Sequence, residues 1–205
     1  GDFTTRAVVI ASGSERQKLG VPREEELTGR GVSYCATCDG AFFADKPVAV
    51  VGGGNAALNE ALEVVKFASR VTIIHRRDQL RATKILQDRA FGNPKIEFLW
   101  DTVVESIIGD KLVKEIRLRN VKTREVSSLA VSGVFVAVGL RPNTGYLKGL
   151  LTLDAAGFIP VNAQMETGVP GIFAAGDIRV GSIRQVVSAA ADGATAAIAA
   201  EIFLS

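Results

Sequence analysis

The fold that we predict is decided by residues 47–57, PVAVVGGGNAA. They combine a short apolar strand, a glycine turn and the start of a helix. This helix continues to residue 68, and a second strand follows at 71–74. Backbone without a Cβ can approach a pyrophosphate, and a helix N-terminus offers it free N–H groups. This G-x-G-x-x-A pattern predicts a Rossmann-like dinucleotide-binding domain rather than an ordinary tight turn, with contacts from Gly52, Gly53, Gly54, Asn55 and Ala57.

The residues after the second strand indicate which dinucleotide is bound. An Asp or Glu about 20 residues downstream would hold the ribose hydroxyl of NAD, but Ile74 and His75 stand there. Arg76, Arg77 and Arg81 follow, and guanidinium groups clamp a 2′-phosphate through charge-assisted bonds. We therefore predict NADP(H), although a solvated basic helix start is the alternative. His75 is either a neighbour of the adenosine phosphate or a bystander.

A pair of cysteines, Cys35 and Cys38, precedes this unit with the C-x-x-C spacing of a redox dithiol. Zinc is the main rival, but a structural zinc site needs four ligands and the chain has two Cys and one His. We therefore predict no metal site, and inert buried thiols are the remaining alternative. Asp39 either exchanges a proton with a departing thiolate or only forms the turn before Gly40.

The remaining hydrophobic pattern places further elements around this domain. A helix capped by Asp78 is predicted to run to about residue 90, with Leu80, Ile85 and Leu86 facing inward. Strands are predicted at 95–100, 103–108, 113–119 and 125–131, which form an antiparallel insert, and a further apolar strand is predicted at 133–138. Strands at 6–11 and 171–175 and a helix at 185–204 belong to a second α/β unit. The fold class is thus α/β, with one domain inserted in another that is discontinuous.

Composition excludes several classes of protein. Of 205 residues, 47% are hydrophobic and 22% charged, which is typical of a globular chain. A net charge of +2 does not favour a nucleic-acid or anionic-membrane binder. The apolar stretch 183–204 is broken by Arg184, Asp192 and Glu201, so we expect no membrane segment. With neither a signal sequence nor a disulfide-rich scaffold in view, we expect a cytoplasmic protein.

Five motifs together resemble the low-molecular-weight thioredoxin reductases of the bacterial and plant type. They are CATCDG (35–40), GGGNAA (52–57), HRRDxxR (75–81), VGxxPNT (138–144) and GIFAAGD (171–177) with Arg184 and Gln185. The resemblance implies a homodimer that carries electrons from NADPH through FAD to the Cys35–Cys38 disulfide and then to thioredoxin. Asp39 matches the acid beside the dithiol. Gly139, Gly176 and Asp177 also match cofactor-binding segments of the family, and Asp177 matches the residue at the ribityl-phosphate region of FAD. Arg184, Gln185 and Val186 match the segment that lies over the isoalloxazine ring.

The same resemblance implies the domain boundaries. Residues 18–139 are expected to form the NADPH-binding domain with the dithiol. Residues 1–17 and 140–205 are expected to be the C-terminal part of the FAD-binding domain, whose N-terminal βαβ half precedes this chain in the family. The sequence is accordingly interpreted as N-terminally truncated, and FAD binding is expected only if the other half is supplied. Rotation of the NADPH domain about hinges near Leu19 and Gly139 is also implied.

Two other functions remain open at the level of sequence. One is the flavoprotein subunit of a peroxide-reducing (alkyl hydroperoxide) system, which uses a similar dithiol. The other is a non-catalytic NADPH-binding or redox-sensing module.

Overall fold

The computed structural model describes residues 3–205, and these form two compact units. The central unit is Gln17–Gly139, and the flanking unit combines the residues up to Arg16 with Leu140–Ser205. The strands are β1 (Val8–Ile10), β2 (Ser14–Arg16), β3 (Val32–Ser33), β4 (Pro47–Val51), β5 (Arg70–Ile74), β6 (Ile96–Leu99), β7 (Thr102–Gly109), β8 (Val113–Asn120), β9 (Val126–Ala130), β10 (Gly133–Val136), β11 (Leu140–Pro142) and β12 (Ile172–Ala174). The α-helices are α1 (Ala36–Asp39), α2 (Asn55–Val64), α3 (Lys84–Phe91) and α4 (Val186–Leu204).

The central unit is built on a five-stranded parallel sheet in the order β3-β10-β4-β5-β6. β4 lies in the middle, where Val50 is paired with Ile73 on one side and with Phe135 on the other. Strands covered on both faces are near-continuous apolar runs, and this explains why residues 47–51 mark the centre of the sheet. The predicted parallel strands at 47–51 and 71–74 are confirmed. The strand predicted at 95–100 as part of the antiparallel insert instead joins this parallel sheet as β6.

Helix α2 covers one face of this sheet. Its inward residues Ala57, Leu58, Ala61 and Val64 are buried and pack in one core with strand residues such as Val50. The spacing of these residues follows the helical period, as expected for a helix with one buried side. The helix ends at Val64 rather than near residue 68, and a hydrogen-bonded turn continues it.

The antiparallel meander β7-β8-β9 covers the other face. Ile107 and Ile116 pair across two of its strands, and they pack in a second core with Val51, Ile74 and Val136 of the sheet. The sheet is therefore the middle of three layers. The predicted α/β class with a parallel sheet and an antiparallel insert is confirmed.

The prediction of a helix capped by Asp78 is wrong at its start. Helix α3 begins at Lys84, with Thr83 as the N-cap residue. The preceding segment is a loop because its polar groups bond elsewhere: the Arg81 N–H donates to the Gly53 carbonyl at 2.7 Å, and Asp78 pairs with Lys122 at 3.0 Å. Ile85, predicted to face inward, is 70% exposed.

The flanking unit has its own small cores. β1 and β12 are parallel neighbours, and β2 pairs antiparallel with β11. Ile10, Ile159 and Ile178 belong to one core, while Phe173 packs with the alanines of α4 in another.

Helix α4 is 19 residues long and, by length and composition alone, apolar enough to cross a membrane. That evidence is weak, because helices in proteins without a membrane domain pass the same test. Its interior contains Asp192, whose carboxylate forms an ion pair with Arg179. The middle of the helix is therefore joined by an ion pair to another segment of its own unit.

Candidate functional site

The turn between β4 and α2 has a backbone that requires glycine at its first position. Gly52 adopts a φ of +148°, and a Cβ there would lie 2.4 Å from the Ala137 carbonyl oxygen and 2.7 Å from the Ala57 Cβ. Both Gly52 and Ala57 must therefore be small so that strand, turn and helix can pack closely.

The other two glycines of the turn meet different surroundings. A Cβ on Gly53 would lie 2.3–2.6 Å from three ring atoms of His75, whereas one on Gly54 would meet nothing within 4 Å. Gly54 is also the N-cap residue of α2 and has no side chain to cap the first helical N–H groups. The turn is thus packed on the Gly53 side and open on the Gly54 side, as an anion-binding helix start requires.

The buried His75 ring packs against the glycine turn at Gly53. It is only 4% exposed, and its Nε2 donates to the Gln79 carbonyl oxygen at 3.1 Å, since a carbonyl only accepts. Burial lowers the pKa of His75, and the nearby charges of Arg81, Arg77 and Arg76 lower this pKa further, although the bond to Gln79 acts in the opposite direction. A neutral imidazole therefore packs against Gly53.

A cavity of about 310 Å³ opens beside this turn in the central unit. Its wall includes Gly52, Gly53, His75, Arg76 and Arg81. All three predicted arginines are exposed, but Arg77 is outside this wall. Asn55 is at the start of α2, where its Oδ1 accepts the Thr83 N–H at 2.8 Å and so ties the basic loop to the helix.

The two cysteines form a disulfide, with their Cα atoms 5.3 Å apart. Cys35 is the N-cap residue of the four-residue helix α1, and the Cys38 N–H donates to the Cys35 Sγ at 3.2 Å. Cys38 is exposed, whereas Cys35 is half-buried. The closed disulfide favours the redox interpretation over the zinc site and the inert thiols.

Asp39 lies at the end of α1 with a defined partner that the sequence did not indicate. Its Oδ2 accepts the Ser33 hydroxyl at 2.7 Å, and the same hydroxyl oxygen accepts the Cys35 N–H at 3.1 Å. Ser33 is 4% exposed. One buried hydroxyl thus joins the acid to the dithiol backbone.

Glu60 is a second contact that the sequence did not indicate. Its carboxylate, on α2, accepts the N–H of Ala36, the residue directly after Cys35. The two residues are 24 positions apart, so no local pattern could have joined them. α2 therefore holds both the dinucleotide turn at its start and the dithiol helix on its side.

The remaining predicted residues belong to neither cluster. Gly139, with a φ of +136°, ends the central unit, and its carbonyl accepts the Gln17 N–H at 3.0 Å.

The others belong to the flanking unit. The Gly176 N–H donates to Asp192 at 3.1 Å, and Asp177 accepts the Ser182 hydroxyl at 2.9 Å. Arg184 precedes Gln185, the N-cap residue of α4, and Val186 is 88% exposed at its first position.

Comparison with known proteins places this arrangement in a family. Residues 1–193 match the model of the pyridine nucleotide-disulphide oxidoreductases. The chain belongs to this family. Its curated relatives include the thioredoxin reductase of Peptoclostridium litorale, 48% identical over 100% of this chain and 67% of the relative. Another is that of Streptomyces coelicolor, 49% identical over 98% of this chain and 62% of the relative.

A solved thioredoxin reductase, from Streptococcus pyogenes MGAS5005, has the same fold. It superimposes with a TM-score of 0.90 at 50% identity and covers 97% of this chain, which spans 65% of that structure. The resemblance predicted from the five motifs is thus confirmed. The chain spans about two thirds of the length of these relatives.

Proposed function

We propose that the chain is part of an NADPH-dependent thioredoxin-disulfide reductase. The observation that carries the proposal is the closed Cys35–Cys38 disulfide, with one exposed cysteine, in the same unit as an open glycine turn and a basic cavity. The central unit would bind NADPH and present the dithiol, and the flanking unit would contribute to FAD binding. Two copies of the protein would form a dimer, as the resemblance implies, and we expect this dimer in the cytoplasm.

The residues present fit NADPH. The space that a Cβ on Gly54 would enter is open, so a pyrophosphate could reach the free N–H groups at the start of α2. Arg76 and Arg81 in the cavity wall offer guanidinium donors to a 2′-phosphate. Arg77, which is exposed next to them, would add a third positive charge.

The flanking unit also offers groups that fit a flavin. Ile183 and Val186, near the start of α4, are 73% and 88% exposed, which suits contact with an apolar ring. Asp177 offers a carboxylate to ribityl hydroxyls. When bound, FAD accepts hydride from NADPH and supplies two electrons to a disulfide.

The dithiol would then pass two electrons to thioredoxin by thiol–disulfide exchange. One thiolate of the pair attacks a sulfur of the thioredoxin disulfide, and a bond between the two proteins forms while a thioredoxin thiolate leaves. The second cysteine attacks this mixed disulfide, so that Cys35–Cys38 re-forms and the second thioredoxin thiolate leaves. Asp39, next to Cys38 in the chain, would carry one of the protons.

Exchange with thioredoxin is the direct test of this function. The chain is reduced, freed of reductant and mixed with oxidised thioredoxin, and thiols are counted in acid-quenched samples. We expect two thiols to pass from each chain to thioredoxin. Exchange with a peroxide-reducing partner but not with thioredoxin would favour the peroxide system, and no exchange with either would favour a non-catalytic module.

Calorimetry tests the choice of dinucleotide. We expect NADPH to bind at least about tenfold more tightly than NADH, since hydrogen bonds to charged groups contribute about 1.5–3 kcal/mol. Arg81→Gln should weaken NADPH binding and leave NADH binding unchanged. Arg70→Gln, which removes an exposed arginine paired with Glu97, is the matched control. Equal affinities for the two dinucleotides in the unmodified chain would contradict the role given to the arginines.

Two glycine substitutions separate the packed and open sides of the turn. Gly53→Ala should lower the free energy of unfolding by about 1–3 kcal/mol, because its Cβ overpacks against His75. Gly54→Ala has space for its Cβ, so it should leave stability unchanged and weaken NADPH binding about tenfold by obstructing the phosphate. Denaturant unfolding and calorimetry measure the two effects, and equal stability losses in both variants would contradict this assignment.

A further inference from the structure

We propose that Ser33 is a positioning residue for the proton-transfer role of Asp39, with a hydroxyl that serves both charge states of that carboxyl. The inference rests on the proposed function, because it assigns a partner to the acid of the dithiol exchange. It starts from the buried hydroxyl that bonds Asp39 and Cys35 at the same time.

The hydrogen bonds of Ser33 fit an ionised Asp39. A hydroxyl has one donor and two acceptor lone pairs. The single Ser33 proton points to Asp39 Oδ2 at 2.7 Å, and one lone pair accepts the Cys35 N–H at 3.1 Å. The second lone pair of the Ser33 oxygen is left over in this arrangement.

The same atoms also fit a protonated Asp39. The Asp39 O–H can donate to the second lone pair of the Ser33 oxygen. The Ser33 proton can then turn to the Cys35 carbonyl oxygen, which lies 3.4 Å away. No buried polar atom of Ser33 loses its partner in either state, so Asp39 can take up or release a proton without the penalty of an unsatisfied buried group.

Solvent and other charges reach this pair from one side. A cavity of about 500 Å³ is lined by Ser33 and Asp39 together with Arg30 and Lys46. These two cations lie outside α1 and line the same cavity as the acid. Both cysteines precede it at α1, Cys35 as the N-cap residue and Cys38 directly before it, and Glu60 contacts α1 from α2. The cavity gives the carboxyl a route for proton exchange with water.

The step that Ser33 assists is the proton balance of the exchange. When the reduced chain reduces a thioredoxin disulfide, two electrons and two protons leave Cys35 and Cys38 and appear on the two thioredoxin thiols. Asp39 accepts a proton from the second cysteine as this cysteine becomes the attacking thiolate, and then releases the proton. Ser33 changes its donor direction at each change of charge.

The test is the pH profile of exchange between the reduced chain and oxidised thioredoxin. Ser33→Ala should slow the exchange about tenfold at neutral pH and change the shape of its pH profile, since Asp39 loses the hydroxyl that orients it. Ser33→Thr keeps the hydroxyl and should restore both the rate and the profile. Ser128→Ala, on the exposed surface of β9, should change neither.

A double variant shows whether Ser33 acts through Asp39. Asp39→Asn alone should slow exchange about 100-fold, as loss of a general acid or base does. Adding Ser33→Ala to Asp39→Asn should then have little further effect. If Ser33→Ala leaves the profile in place while Asp39→Asn changes it, or if the two losses simply multiply, the role of Ser33 is wrong. If Asp39→Asn itself changes nothing, the role of Asp39 in the proposed function is wrong instead.

Discussion

Replacing either Cys35 or Cys38 by Ser will abolish net transfer of thiols to thioredoxin. Serine keeps the size of the side chain but cannot form the internal disulfide whose closure releases reduced thioredoxin. The chain has only these two cysteines, so each variant retains one thiol and no substitute for the lost one. We expect a fall of at least about a thousandfold, which is the scale seen when a catalytic nucleophile is removed.

The two cysteine variants should differ in the product that they form. Cys35→Ser leaves the exposed Cys38, which can attack thioredoxin but cannot be resolved, so a mixed disulfide should accumulate. Cys38→Ser leaves the half-buried Cys35, which should form that species more slowly. Non-reducing electrophoresis and mass spectrometry measure both.

NADPH affinity is the control for the cysteine variants. Neither cysteine is in the wall of the cavity beside the glycine turn, so NADPH should bind both variants as it binds the unmodified chain. Sustained transfer of two thiols by either variant would contradict the role of the dithiol.

The central sheet could be predicted from sequence because local rules and tertiary packing agree there. The apolar run at Pro47–Val51 has no polar residue to place outward, so only a strand buried on both faces accommodates it. The turn after it requires glycine for the φ of Gly52. The pairing of Cys35 with Cys38 is equally local, since three positions separate them.

The start of α3 could not be predicted because distant residues compete for its first polar groups. The Asp78 carboxylate fits an N-cap by local pattern, but Lys122, 44 positions away, takes it. The hydrogen-bond partners of the dithiol helix α1 could not be predicted either, because they lie outside its local sequence pattern. Ser33 bonds Asp39 across six positions, and the Glu60 carboxylate reaches Ala36 from another element.

Replacing Asp192 by Asn will destabilise the flanking unit by about 3–5 kcal/mol, the usual effect of breaking a buried ion pair. The Asp192 and Arg179 side chains are 8% and 15% exposed. The carboxylate accepts Arg179 Nε at 2.5 Å and Nη2 at 2.8 Å, and also the Gly176 N–H at 3.1 Å. An amide cannot neutralise Arg179, so the variant leaves this largely buried guanidinium with only the weaker attraction of Asp177.

Two optical probes distinguish the unfolding of the flanking unit from that of the central unit during denaturant titration. Trp100 is the single tryptophan and lies in the central unit, so its fluorescence follows that unit. Far-UV circular dichroism includes α4, the longest helix. Asp192→Asn should move the dichroism transition of the flanking unit to lower denaturant. Glu15→Gln, which breaks the exposed pair with Arg141, is the control and should change stability by less than about 1 kcal/mol.

The effect of Asp192→Asn should depend on pH in a defined direction. The bond from Arg179, supported by the Gly176 N–H, holds the pKa of Asp192 below its ordinary value, against the opposing effect of burial. A carboxyl whose pKa is lower in the folded state stabilises that state fully above its unfolded pKa of about 4 and loses this contribution as the pH falls through the folded value. The difference between the unmodified chain and Asp192→Asn should therefore be constant near neutral pH and shrink in acid. A difference that grows in acid, or no difference at neutral pH, would show that the ion pair does not stabilise the turn.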